Sequence, residues 1–324
     1  MSDIWKKFQH LNPPLSDKSK NLSTKNIDKF GTFKVGKDFN SNPHFIILTD
    51  HEEVKVSDLK TNEIKTDFYK NDEFTFDDEV IEKNFYKISY IGGQEELKQS
   101  FLLNCEILIK KISNDKSKAA LVRVFKDLIR LWSLEKNIDI SKVYIGLWCE
   151  LFLIENSIYP DIMVKSWHSD INDVFDFAFD NFIIEVKGTS SSNRRSHIFN
   201  FKQLRDYNDE NIFISSIIAE KVDNGKSIKD LIDSIKNKLS DKSLIEKVEL
   251  KTAETLKKYI YLIDDYKYNH HVAEKYCRIY HFKEIPRISH IPDGISDLSY
   301  KSNLDNIPYI SDNISEFIEK NNSE

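Results

Sequence analysis

Val174-Phe-Asp-Phe-Ala-Phe-Asp-Asn-Phe-Ile-Ile-Glu-Val-Lys187 reads as a tight β-hairpin with Asp180-Asn181 at its turn. Counting away from that turn pairs Phe179 with Phe182, Phe177 with Ile184 and Phe175 with Val186. One face of the hairpin is then aromatic and aliphatic throughout. On the other face Asp176 falls opposite Glu185, with Lys187 one diagonal step away. Directly opposed residues carry Cβ atoms only ~5 Å apart, where like charges destabilise the pair. A divalent cation relieves that repulsion, and hard carboxylate oxygens suit Mg²⁺. The plainer alternative is a solvent-facing side whose lysine neutralises two acids. Ala178 and Ile183 on the same face argue against it, since Thr, Ser or Gln would be usual there.

The flanking segments predict an α/β fold with a mixed central sheet and helices packed on it. Apolar residues at helical spacing predict helices over Glu95–Ile112, Asp115–Lys136 and Ser141–Ile158. Ile162–Trp167 reads as a strand. A polar loop, Gly188–Arg195, and a short helix around Phe201–Tyr207 follow the hairpin. Ile212-Phe-Ile-Ser-Ser-Ile-Ile-Ala is a continuous apolar run of the kind that fills a central strand. Ser227 with Asp230 forms a capping-box pattern before an amphipathic helix ending at Leu239. Further helices are expected over Thr252–Tyr268 and Ile310–Lys320, and a strand over Tyr276–Phe282. Before Gly92-Gly93 the chain is β-rich, with Phe45–Thr49 and Phe85–Ile91 its clearest strands. The expected division is a β-rich domain at 1–93, a core with its preceding helices at 94–245 and a helical C-terminal extension at 246–324.

Composition narrows the class. The 324 residues are 40% hydrophobic and 12% aromatic, enough for a substantial core and unlike a disordered chain. Cys105, Cys149 and Cys277 lie far apart without a CxxC pair, so neither a disulfide framework nor a zinc site is indicated, which fits the cytoplasm. No signal-peptide pattern opens the chain and no apolar run approaches ~20 residues, so no membrane association is expected. A net charge of −6 does not advertise a nucleic-acid binder. The charge is uneven, however. Lys187, Arg194, Arg195, Lys202 and Arg205 stand against one acid between Val186 and Asp206, and the segment after Ile291 is acidic. A local phosphate-binding surface beside the hairpin is compatible with that distribution.

Glu150 adds a third carboxylate. It sits in Tyr144-Ile-Gly-Leu-Trp-Cys-Glu-Leu-Phe-Leu-Ile154, the most apolar stretch of its helix. A buried carboxylate costs several kcal/mol unless it is paired or bound to metal. The alternative is a narrow exposed stripe. Asp173 is a fallback acid should the hairpin register slip. His168, at the end of the expected strand, reads as a structural or surface histidine. His270-His271 have no second ligand at useful spacing, and no GxxxxGK[ST] loop is present.

Asp-x8-Glu-x-Lys on antiparallel strands, preceded by a helix that carries Glu, resembles the PD-(D/E)XK nuclease superfamily, whose core follows the same helix, three-strand, helix, strand order. The resemblance implies a restriction-endonuclease-like core in which Asp176, Glu185 and Glu150 hold Mg²⁺, with Mn²⁺ able to substitute, and Lys187 orients or activates water. Gln203 and Tyr207 resemble the Gln-x-x-x-Tyr element of RecB-like members. Gly146-x-x-x-Glu150, Arg195-x-His197 and Gln203-Leu204 together resemble a family found in bacterial phage-defence gene clusters beside helicases and methyltransferases. Phe175 stands where the signature proline would be, and the gap from Asp176 to Glu185 is short. Arg194, Arg195 and His197 are expected to touch flanking phosphates, unless they form an ordinary solvated loop. The expected activity is metal-dependent endonucleolytic cleavage, of DNA in the first instance, in restriction or phage defence. Helicase, methyltransferase or homodimer partners belong to that expectation. A nucleic-acid-binding subunit that does not cleave alone and a non-catalytic interaction module are the rival readings.

Overall fold

The computed structural model describes residues 3–15, 21–50, 61–76, 79–113, 117–132, 139–168, 175–191, 194–200, 211–288 and 298–322. Its contacts separate into two units, Met1–Ile138 with Leu250–Tyr261, and Asp139–Glu249 with Leu262–Glu324.

The first unit is built on a closed barrel. Helix α1 (Asp3–Gln9) precedes strands β1 (Asn21–Asn26), β2 (Phe33–Lys37), β3 (Pro43–Thr49), β4 (Ile64–Phe76) and β5 (Glu79–Tyr90), which close in the order β1-β2-β3-β5-β4. Neighbours run antiparallel except β1 and β4, which are parallel. Alternate residues of β3 and β5, among them Phe45, Ile47, Tyr86, Ile88 and Tyr90, present one apolar face. Helices α2 (Glu95–Ser113) and α3 (Lys118–Trp132) cover that face with Phe101, Leu102, Leu121, Phe125, Leu128 and Trp132. These two helices therefore belong with the barrel, and the chain divides after Ile138 rather than after Gly93. Their 3.6-residue periodicity announces an apolar face; only packing selects the surface that buries it.

The second unit holds a mixed four-stranded sheet. Strands β6 (Phe177–Ala178), β7 (Ile183–Thr189), β9 (Ile212–Ile218) and β12 (Arg278–His281) lie in the order β12-β9-β7-β6. The β7–β9 pair is parallel, and the other two pairs are antiparallel. All seven residues of β9 are buried, as its unbroken apolar run requires of a central strand. Beside this sheet, β8 (Ser196–Asn200) pairs with β13 (Ser299–Asn303), and β10 (Lys221–Ser227) with β11 (Lys267–Tyr268). Helix α4 (Ile140–Asn156) packs on β7 and is apolar almost all round, the mark of a helix enclosed on most sides.

Some local expectations hold and others give way. Ser227 caps α6 (Ile228–Lys238) through the full reciprocal box with Asp230. Ile162–Trp167, expected as a strand, lies instead in helix α5 (Pro160–Ser166), which Pro160 opens and which buries Met163 and Val164. Trp167 alone joins the sheet edge, bridging Phe177. The helix expected over Thr252–Tyr268 starts earlier, as α7 (Lys242–Leu256), and gives way to a 3₁₀ turn at Lys257, whose φ is +51°. Of the residues expected as a C-terminal extension, Leu250–Tyr261 belong to the barrel unit and those from Leu262 on to the sheet unit. β12 is one of the four strands of the mixed sheet, and Phe317 of α8 (Ile314–Asn322) packs edge-on against Phe182 and Phe213 at 5.6 and 4.8 Å.

Candidate metal and active site

The hairpin forms in the expected register. Phe177 pairs with Ile184 and Ala178 with Ile183, and the Phe179 N–H donates to the Phe182 carbonyl at 2.9 Å. The ladder then stops. At the next position the Asp176 carbonyl accepts the His168 N–H at 2.9 Å, while Asp176 Oδ2 accepts the Val186 N–H at 2.7 Å. A side-chain carboxylate thus takes the place of the next backbone rung and fixes Asp176 against β7. Because the strand ends there, its alternation ends too. Phe177, Ile184 and Val186 are buried on the expected face, but Phe175 packs with Ile183, Phe199 and Ile212 on the opposite side. Parity is dictated by the pleat only while the chain stays extended.

Glu185 is 3% exposed, and its Oε1 accepts from Lys187 Nζ at 2.6 Å. The parallel register sets Glu185 beside Ile214 and Lys187 beside Ser216 on one face of the sheet. The Lys187 ammonium also lies 5.5 Å from the centroid of the Phe199 ring. Glu150 reaches this neighbourhood through a close approach of helix and strand. A Cβ on Gly188 would fall 2.6 Å from Cys149 Sγ and 3.2 Å from Ile145 Cγ1, so a glycine is what lets α4 lie against β7. Cys149 precedes Glu150, and Gly188 follows Lys187, so that contact also sets Glu150 relative to the strand.

Two residues that the linear pattern does not reveal complete the arrangement. Trp167 donates its indole N–H to Glu150 Oε2 at 2.8 Å, and His168 Nε2 lies 3.1 Å from the same oxygen. Ligand atoms of Glu150, His168 and Asp176 all lie within 4.8 Å of one another. Burial, reinforced by the Glu185 and Glu150 charges, pushes the Asp176 carboxyl well above the usual carboxylate range. Burial also raises Glu185, against the opposing pull of the Lys187 ammonium. Two carboxylates that repel each other and an imidazole, partly withdrawn from water, are a donor set that a divalent cation fits. Glu150, His168 and Asp176 are the residues that would hold it; Glu185, expected among the ligands, lies outside that group with its Oε1 on Lys187.

The expected phosphate contacts fare differently. Arg194 is exposed. Arg195 is not a loop residue free to reach substrate. Its guanidinium is buried, donating to the Ser216 carbonyl and Oγ, both at 3.1 Å, and to the Tyr276 carbonyl. Burial lowers its pKa. His197 is also buried, with Nε2 2.7 Å from Ser216 Oγ. Burial, then the Lys187 and Arg195 charges, lower its pKa to about 3 and keep the ring neutral. Both side chains are packed against Ser216 of β9 rather than offered to solvent, because β8 follows the polar loop at once and turns them toward β9. Gln203, Tyr207 and Asp173 lie outside the described residues. Among the described residues no helix is long and apolar enough to cross a membrane.

The model of the family described as "Putative PD-(D/E)XK family member (DUF4420)" matches residues 1–305. No curated protein and no solved structure matches the chain. The mixed sheet flanked by helices agrees with that match, and the chain belongs to this PD-(D/E)XK family.

Proposed function

We propose that this chain is a divalent-metal-dependent nuclease that hydrolyses phosphodiester bonds, with DNA as substrate and Mg²⁺ as the ion, for which Mn²⁺ can substitute. The observation that carries the reading is the convergence of Glu150, His168 and Asp176, next to a Glu185 whose charge acts on Asp176 and whose carboxylate holds Lys187, with burial holding the Asp176 and Glu185 carboxyls above their ordinary range. Carboxylates placed at such cost in an apolar setting call for a counter-charge. When bound, the ion supplies Lewis acidity and lowers the pKa of water. The chain's own residues do the rest. The Val186 N–H orients Asp176, and the Trp167 indole orients Glu150. Lys187 rests on Glu185 and shares its strand face, where its ammonium can hold an attacking water or a non-bridging phosphate oxygen. Exposed Arg194 is the proposed contact to a flanking phosphate.

A cytoplasmic role in restriction or phage defence, alongside a helicase or methyltransferase, extends the resemblance set out above, as does a homodimer. The burial of Arg195 and His197 favours a second reading, in which the chain needs a partner to grip substrate, because it removes two of the expected phosphate contacts. The test is cleavage of plasmid and single-stranded substrates by the purified chain with and without Mg²⁺, with Glu185→Ala as control. Cleavage that requires the metal and is lost in the variant supports the first reading. A wild-type chain that binds metal but holds DNA only weakly and leaves every substrate intact supports the second.

A further inference from the structure

We infer that His168 is a nitrogen ligand in this site and tilts its preference from Mg²⁺ toward Mn²⁺ and related transition ions; the inference rests on the metal-dependent reading above. Mg²⁺ is served by oxygen donors, whereas imidazole favours transition metals, so one histidine among carboxylates changes which ion the site selects.

The spacing supports direct ligation. An octahedral ion that holds its donors at about 2.1 Å sets neighbouring donors about 3 Å apart. His168 Nε2 and Glu150 Oε2 stand 3.1 Å apart, and an Asp176 carboxylate oxygen lies within 4.8 Å of both ligand atoms. A simple ion pair is the competing explanation for the His168–Glu150 contact. Glu150 Oε2 already receives a neutral donor, the Trp167 indole N–H at 2.8 Å, so the histidine is not required to satisfy it. The backbone also commits His168 to this place. Its φ of +42° lies in the left-handed region, which costs a non-glycine residue of order 1 kcal/mol or more and persists where surroundings over-determine it. Its N–H is held by the Asp176 carbonyl at 2.9 Å. Trp167-His168 thus joins the sheet edge carrying Asp176 to the helix carrying Glu150. The histidine side chain is 28% exposed, leaving the ring reachable from solvent.

The experiment titrates the metal-stripped full chain with Mn²⁺ and separately with Mg²⁺ by calorimetry. It then records the pulsed electron-spin-echo spectrum of the chain loaded one-to-one with Mn²⁺, unlabelled and with ¹⁵N-histidine. His168→Asn is the variant, because asparagine tolerates left-handed φ and replaces the ring with a hard amide oxygen. The expected results are a histidine-nitrogen coupling to Mn²⁺ that changes with the label and vanishes in His168→Asn, and at least a tenfold fall in the Mn²⁺-over-Mg²⁺ affinity ratio. Binding of both ions without nitrogen coupling, or an unchanged ratio in a folded variant, overturns the ligand assignment and leaves the nuclease reading standing. If the wild-type chain binds neither ion, both fall together. The labelled wild-type spectrum needs no variant, so a His168→Asn chain that fails to fold does not remove the test.

Discussion

Arg195→Ala should destabilise the protein by about 2–4 kcal/mol, whereas Arg194→Ala, one residue earlier, should leave stability within about 0.5 kcal/mol of wild type. The Arg195 guanidinium supplies donors to Ser216 O, Ser216 Oγ and Tyr276 O. Truncation strips donors from Ser216, which is fully buried, and each buried acceptor left unsatisfied costs roughly 1–3 kcal/mol. Ser216 Oγ keeps its contact to His197, and the Tyr276 carbonyl belongs to a residue 38% exposed, where water can replace the lost donor. Releasing a buried cation to solvent refunds part of the loss, since its desolvation costs several kcal/mol. The net range follows from those opposing terms. At a slope of ~2 kcal/mol per molar urea, the unfolding midpoint should fall by ~1–2 M. DNA binding measured across salt concentration should behave in the opposite way. Arg194→Ala should flatten the slope of log K against log salt by about 0.9, the value for one lost phosphate contact, and a folded Arg195→Ala should not. A wild-type urea midpoint together with a flattened salt slope in Arg195→Ala would show that Arg195 reaches substrate, and the burial argument would be wrong.

The Gly188 approach gives a second expectation. Gly188→Ala places a methyl 2.6 Å from Cys149 Sγ and should cost about 1–3 kcal/mol and weaken metal binding by moving Glu150; Cys149→Gly in the same chain should recover part of both, and the absence of recovery in calorimetry would mean that the strain arises elsewhere. Asp176→Asn retains an acceptor for the Val186 N–H but removes the charge that burial, Glu185 and Glu150 oppose. The metal-free variant should therefore melt at or above the wild-type temperature at pH 7 while divalent-ion affinity falls at least tenfold; a clear drop in melting temperature would contradict the repulsion described here. His197 sets an acid dependence. Its folded pKa of about 3 lies below the ~6.5 of an unfolded histidine, so the unfolded state binds the extra proton between those values and stability falls as pH drops from 6.5 toward 3. Raised carboxyls such as Asp176 act with the opposite sign, so the readout is wild type minus His197→Gln, which should change by about 1.4 kcal/mol per pH unit within that window and stay flat above it.

The residues by themselves determined the hairpin register, the buried β9 strand and the Ser227–Asp230 cap, and they singled out Glu150 and Asp176, which the fold brings together. Each is a local property. A two-residue period, a turn dipeptide, an unbroken apolar run or a carboxylate in an apolar helix carries its meaning within about ten positions of chain. The resemblance to PD-(D/E)XK nucleases rested on those same local features, and the family match agrees with it. Packing between distant segments decided the rest. Helices α2 and α3 have clear apolar faces, but the face does not say that a barrel, rather than the mixed sheet, will cover it. Arg194 and Arg195 look alike in a polar run, yet β8 pairing turns one guanidinium toward Ser216 and leaves the other in solvent. Phe175 obeys the strand period on paper and breaks it in space, because the Asp176 carboxylate, not a backbone rung, meets Val186. His168 carries no sequence signal at all. It enters the site because α5 ends at Ser166, Trp167 bridges to Phe177, and a left-handed φ then swings the imidazole onto Glu150, a residue from another helix. Local periodicity states which side of an element is apolar; the free energy of burial, summed over segments far apart in the chain, chooses what that side meets and which polar groups are carried in with it.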